Sequence, residues 1–151
     1  MVAFLLCFLV FSCGEQAVYN QYQAIHNFSW EKNKEYYFTF QIDDNSIPYD
    51  VTLEIRNNNL YPYQNLWLFY NEEPPIGSMV CDTIECLLAD DFGKWNGTGI
   101  SLFQSSFPIR TNYRFLNKGR YTFSFRQGMR IDTLPGIQEI GLKVEKTFIN
   151  D

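Results

Sequence analysis

Tyr36-Tyr37-Phe38-Thr39-Phe40-Gln41-Ile42 and Asp50-Val51-Thr52-Leu53-Glu54-Ile55-Arg56 decide the fold. In the first run Tyr36, Phe38, Phe40 and Ile42 share one parity, with Tyr37, Thr39 and Gln41 on the other. In the second, Val51, Leu53 and Ile55 alternate with Asp50, Thr52, Glu54 and Arg56. A period of two puts each set on its own face of a strand, so one face is apolar and the other wet. The second run is the cleanest strand of this kind, and Glu54 is expected to face water. Between the two lies Asp43-Asp44-Asn45-Ser46 with Pro48, whose side chains favour turns.

The same reading extends in both directions. Leu66 to Tyr70 is apolar on both parities, which suggests a central strand. Further strands are expected at Met79 to Leu88, Ile109 to Phe115, Tyr121 to Arg126 and Ile140 to Lys146, with a first one near Ala17 to Tyr22. Asn117-Lys118-Gly119 is a tight-turn sequence, and Asp90 to Gly99 an irregular glycine-rich loop. A helical period is not sustained over ten residues anywhere. About seven or eight short strands at this spacing predict an all-β antiparallel sandwich, jelly-roll or immunoglobulin-like, with little helix.

Composition agrees. Of 151 residues, 14 are Phe, 10 Tyr and 3 Trp, and aromatic side chains suit pleated surfaces. The formal net charge of -5 and the absence of any basic run argue against a nucleic-acid surface.

Before the strands comes a different kind of segment. Val2 to Phe11 is an uninterrupted apolar run. A membrane-spanning helix takes about 20 residues, so this run is too short to span and fits a secretory signal. Val10-Phe11-Ser12-Cys13 then resembles a bacterial lipobox, in which a small residue precedes a cysteine whose thiol takes diacylglycerol. Two features depart from the pattern: Phe11 is bulky for its position, and no basic residue precedes the run. The organisation is therefore a lipoprotein signal at 1–12, lipidated Cys13 with a linker and a first strand at 13–33, and a β-sandwich domain at 34–151. Cys7 belongs to the leader. Cys81 and Cys86, if on one extended strand, lie roughly 16 Å apart, too far for a disulfide. A bulge or turn would bring them closer; two buried free thiols are the other reading.

Chemistry-bearing patterns are sparse. His26 is the sole histidine and has no nucleophile motif beside it, so it reads as a surface or internally satisfied residue. Asp43-Asp44 and Asp90-Asp91 do not continue into a calcium-loop spacing and suit turns. No metal site is expected. Trp30 and Trp95 are the best exposed rings for a sugar-binding platform. Two loops could serve a partner. Gly93-Lys94-Trp95-Asn96-Gly97-Thr98-Gly99 sets glycines around a large ring. Met129-Arg130-Ile131-Asp132-Thr133-Leu134-Pro135-Gly136 places Arg130 and Asp132 among turn residues. Loops on rigid scaffolds often carry binding, though both could equally be braces.

Three groups of segments together resemble the gliding-motility lipoprotein GldH family of Bacteroidota. The first is Ile55-Arg56-Asn57, Tyr61-Pro62-Tyr63 and Asn65-Leu66-Trp67-Leu68-Phe69. The second is Asp82-Thr83-Ile84-Glu85, Leu88-Ala89-Asp90 and Gly93 to Gly99. The third is Gly119-Arg120-Tyr121-Thr122-Phe123, Gln127 to Ile137 and Ile140 to Lys146. The resemblance implies a non-enzymatic envelope lipoprotein without cofactor, held by lipid at the outer membrane and working with other envelope or gliding-machinery proteins. A carbohydrate-binding or carbohydrate-processing lipoprotein is the alternative, distinguished by a groove of stacked aromatics with facing carboxylates. Asp82-Thr83-Ile84 and Asp132-Thr133-Leu134 are similar to an O-glycosylation signal of exported Bacteroidota proteins. Gly14-Glu15-Gln16-Ala17 lacks the acidic cluster typical of surface-exported lipoproteins there, which favours the periplasmic side.

Overall fold

The computed structural model describes residues 17–147, so the lipobox and Cys13 lie outside the described residues. Ten strands follow in order: β1 (Tyr19–Ala24), β2 (Ser29–Glu31), β3 (Glu35–Ile42), β4 (Tyr49–Asn58), β5 (Asn65–Glu73), β6 (Val80–Leu87), β7 (Leu102–Tyr113), β8 (Gly119–Gln127), β9 (Thr133–Pro135) and β10 (Ile137–Lys146). A 3-10 turn at His26–Phe28 is the one helical element among the described residues.

The alternation read in β3 and β4 is realised as burial. Tyr36, Phe38, Phe40 and Ile42 are buried on one face, as are Val51, Leu53 and Ile55. Two four-stranded antiparallel sheets bring these faces together, ordered β1-β10-β4-β7 and β3-β8-β5-β6. With the small β2-β9 pair set aside, eight strands remain, and the chain passes between the sheets in the order of a jelly roll. The expected count of seven or eight thus describes the two main sheets, and β2-β9 is the addition. An immunoglobulin-like arrangement is not what forms. Aromatic rings fill the core: Phe40 stacks on Phe123 at 5.8 Å, and Phe115 meets Tyr121 at 4.5 Å.

β7 differs from its expected span. It begins at Leu102 rather than Ile109, and Phe115 lies in the following turn. Two serines and Pro108 hide this strand in the sequence. They are tolerated because β7 is an edge strand bonded only to β4.

Glu54 is a second correction, being only 3% exposed. Its face of β4 is roofed by side chains from both neighbouring strands. Gln104 and Ser106 donate to Glu54 Oε2 at 3.2 and 2.7 Å. Arg56 pairs with Glu139 at 2.6 Å and lies over the Tyr22 ring at 4.0 Å. Tyr22 in turn covers Gly141, where a side chain would collide with its ring.

Strand direction gives the molecule two distinct ends. β1 starts, β10 finishes, and the 43–48, 74–79 and 114–118 loops fall at one end. The 25–34, 59–64, 88–101 and 128–136 segments fall at the other. Strands of eight to ten residues hold the ends roughly 27–33 Å apart. We call the end where β1 starts the tether end, after the lipid expected on Cys13, and the other the distal end.

Candidate functional site

β5 is internal to its sheet, flanked by β8 and β6, as its two apolar parities suggested. One of those parities nevertheless stays uncovered. Leu66, Leu68 and Tyr70 point into the core, while Trp67 is 42% exposed and Phe69 44%. The outward face of the β3-β8-β5-β6 sheet therefore carries large rings in water. Arg126 on β8 lies over the Phe69 ring at 5.2 Å. Beside it, Ser124 at 2.6 Å and Tyr37 at 2.8 Å both donate to Glu35. These bonds, Ser124 first, hold the Glu35 carboxyl below its ordinary range.

At the distal end this face deepens into a hollow of about 480 Å³, lined by Tyr63, Asn65, Trp67, Gly128, Met129 and Arg130. Backbone geometry fixes its floor. The Gly128 N–H donates to the Trp67 carbonyl at 2.7 Å, and the Trp67 N–H donates to Met129 Sδ at 3.3 Å. A side chain at 128 would press on the Phe69 ring. Gln127, fully buried, donates to the Ile131 carbonyl at 2.9 Å and accepts from the Met129 N–H, so the turn carrying Arg130 is rigidly seated. Among the described residues no carboxylate lies within ion-pair reach of Arg130.

Tyr63 is shared with a second, shallower hollow of about 200 Å³, bordered by Tyr61, Pro62, Gln64, Ala89, Gly93 and Trp95. The Trp95 and Arg130 loops, 35 positions apart in sequence, thus flank one tyrosine. Their characters differ. Trp95 is half-buried, stacks on Phe103 at 5.8 Å, and its indole N–H donates to Asn59 at 2.9 Å. Gly99 adopts φ +141, and a side chain there would overlap the Leu102 backbone. The loop is folded tightly under its tryptophan. Asp132 does not join either hollow. It is exposed on the far side of its turn, 4.0 Å from Lys32.

Other sequence readings resolve as follows. Trp30 is not an exposed platform: it is fully buried, its indole N–H donates to the Lys34 carbonyl, and Tyr36 packs edge-on at 5.3 Å. The β2-β9 pair, unread in the sequence, holds it directly opposite Leu134. His26 is exposed, and its ring lies 3.1 Å from the neighbouring Asn27 side-chain amide. Asp44 caps its own turn by accepting from Ser46, and Asp90 accepts from Phe92 and Lys94. Cys81 and Cys86 are free thiols on opposite faces of β6, Cys81 exposed and Cys86 buried, with burial pushing the Cys86 thiol up to about 12. Thr83 and Thr133 are both exposed. Sequence reasoning missed Trp67 and Tyr63. The signal was present in β5, whose double apolar parity is shared by a buried strand and a half-covered one.

The fold and this surface define a class: a jelly-roll module that presents aromatic rings beside Arg130 at the end opposite the start of β1. Known sequences give the family. A model of the GldH lipoprotein family matches residues 17–144. A gliding motility lipoprotein GldH homolog from Christiangramia forsetii is 33% identical, covering 95% of this chain and 93% of that protein. The gliding motility lipoprotein GldH of Flavobacterium johnsoniae is 28% identical, covering 96% and 94%. The chain belongs to the GldH lipoprotein family. No solved structure matches it.

Proposed function

We propose that this lipoprotein is a non-enzymatic binding or assembly component of the gliding-motility envelope machinery, tethered by lipid on Cys13 to the periplasmic side of the outer membrane, and that it meets its partner through the distal hollow. The supporting observation is the exposure of Trp67, Phe69 and Tyr63 beside Arg130 on a rigid sheet. Exposed aromatic residues with arginine are the composition of binding hot spots, and burying them costs little ordering because their backbone is already fixed. Glu35 beside Arg126 and Glu85 opposite Trp67 give the face charges of both signs, and Arg130 is the cation here that no carboxylate of the described residues reaches, so the fitting partner is a protein segment with apolar side chains and a carboxylate for Arg130. The family's description as a gliding-motility lipoprotein supports the setting.

A glycan is the second reading, favoured by Trp67 and Tyr63 lining one hollow with Asn65. Glu85 accepts from Asn65 at 2.7 Å at the hollow's edge, and none of the six lining residues is itself a carboxylate, so this version binds sugar without the paired acids that hydrolysis uses.

Gentle crosslinking in native membranes, followed by co-purification, tests the proposal. Trp67→Ala and Arg130→Ala are each expected to reduce recovery of the crosslinked protein by about tenfold or more, the effect of losing one hot-spot residue. Their thermal unfolding should stay within about 2 °C of the parent, since both side chains face water. Trp95→Ala should instead lower the unfolding temperature, because that ring braces its loop. Undiminished recovery in both surface variants refutes the reading. Elution of the bound material by free glycan rather than by peptide favours the sugar reading.

A further inference from the structure

The tether end has its own apolar surface. Leu116 is 84% exposed and Ile76 69%, and Met79 and Val80 are exposed beside Ile76. These residues sit on loops that touch: the Gly119 turn packs directly on Pro75. Leu116, Ile76 and Val80, together with Pro74, Tyr113 and Tyr121, rim a hollow of about 180 Å³. Charges around the rim nearly balance, with Arg114, Lys118, Arg120 and Lys146 against Asp43, Asp44 and Glu73.

The chain itself indicates what covers this rim. β1 is bonded to β10 from its first residue, and the Val18 N–H already donates to the Val144 carbonyl. The domain therefore begins at the tether end with no slack strand. From Cys13 to Tyr19 the chain spans at most about 20 Å even when fully extended. A lipid on Cys13 keeps the loop tips within that distance of a bilayer at all times, and such confinement raises the effective concentration of lipid at the rim far above any soluble partner's.

We infer that the tether end is a membrane-contact surface, in which Leu116, Ile76, Met79 and Val80 enter the headgroup–acyl boundary of the bilayer and stand the jelly roll upright on it. The inference rests on the reading of Cys13 as the lipid anchor. Exposed aliphatic tips with flanking lysines and arginines suit this boundary, since the tips bury in acyl chain while the cations reach back to headgroups. Near-balanced charge makes the contact apolar rather than selective for anionic lipid. Its consequence is orientation. The Tyr63–Trp67–Arg130 hollow is held roughly 27–33 Å above the membrane, facing away from it.

Native Trp30, Trp67 and Trp95 all belong to the distal half, which leaves tryptophan fluorescence free to report on the rim. The full lipidated chain is reconstituted into phosphatidylcholine vesicles with and without brominated acyl chains, and floated on a density gradient. Leu116→Trp is expected to add emission that brominated lipid quenches by about half or more, as for a ring at the acyl boundary, while the native emission stays unquenched. Ile76→Trp should behave alike and guards against misfolding of one variant. A chain that floats but whose introduced tryptophan is unquenched overturns the inference and leaves the anchor standing. Blue-shifted emission without quenching overturns it too, in favour of a protein covering the rim. A chain that does not float removes both the anchor and the inference.

Discussion

Arg110 and Glu72 join the two sheets near the tether end, and breaking this pair from one side should cost far more than removing it whole. Glu72 is buried on the inward face of β5, and Arg110 reaches it from β7 of the opposite sheet at 2.8 Å. The guanidinium also donates to the Tyr70 hydroxyl at 3.3 Å. Among the described residues Glu72 has no other side-chain partner. Arg110→Met therefore strands a carboxylate, and an uncompensated buried charge typically costs about 3–5 kcal/mol. The hollow beside Glu72 admits water, which brings the figure to about 2–3 kcal/mol. For a domain of this size that corresponds to a fall of roughly 6–12 °C in unfolding temperature. Adding Glu72→Leu removes the stranded charge and should return stability to within about 1 kcal/mol of the parent, because well-packed apolar replacements of buried pairs are often neutral. Circular-dichroism melts and urea titrations of the parent, both single variants and the double variant give the coupling directly. A single Arg110→Met loss below about 0.5 kcal/mol, or a double variant no better than the single, would refute the reasoning.

The core and its roofed face can be separated by urea titration. Leu53→Ala should cost about 2–5 kcal/mol as a cavity between the sheets, and Glu54→Ala about 1–3 kcal/mol, because Gln104 and Ser106 lose their acceptor; a negligible Glu54 effect would mean water replaces the carboxylate freely. Glu35 supplies an acid limb. Its folded carboxyl titrates below its unfolded value of 4.5, so its contribution is present above that pH and is lost as pH falls through the folded value. Glu35→Gln should accordingly flatten the stability profile below about pH 4.5 relative to the parent, and parallel profiles would sink this assignment.

Much of this protein was legible before folding. The parities of β3 and β4 name the core residues that became buried, because a strand's side chains alternate whatever it packs against. The turns at Asp44 and Gly119 follow from local backbone chemistry. The family resemblance rests on ordered motifs along nearly the whole chain and needs no coordinates. Parity, however, says which side chains share a face and not what covers that face. Glu54 and Trp67 show the consequence in opposite directions: the charged face of β4 is roofed by Tyr22, Arg56 and Gln104, whereas the ring-bearing face of β5 is left open. Trp30 is placed opposite Leu134 by a strand pair whose members are about a hundred positions apart. The same holds for the hollow, where Tyr63, Trp67 and Arg130 meet only because β5 pairs with β8 in this register. Local sequence sets conformation and periodicity through sterics and side-chain shape. Covering, convergence and the separation of a tether end from a distal end arise from long-range pairing, whose free energy belongs to two surfaces at once and is written in neither alone.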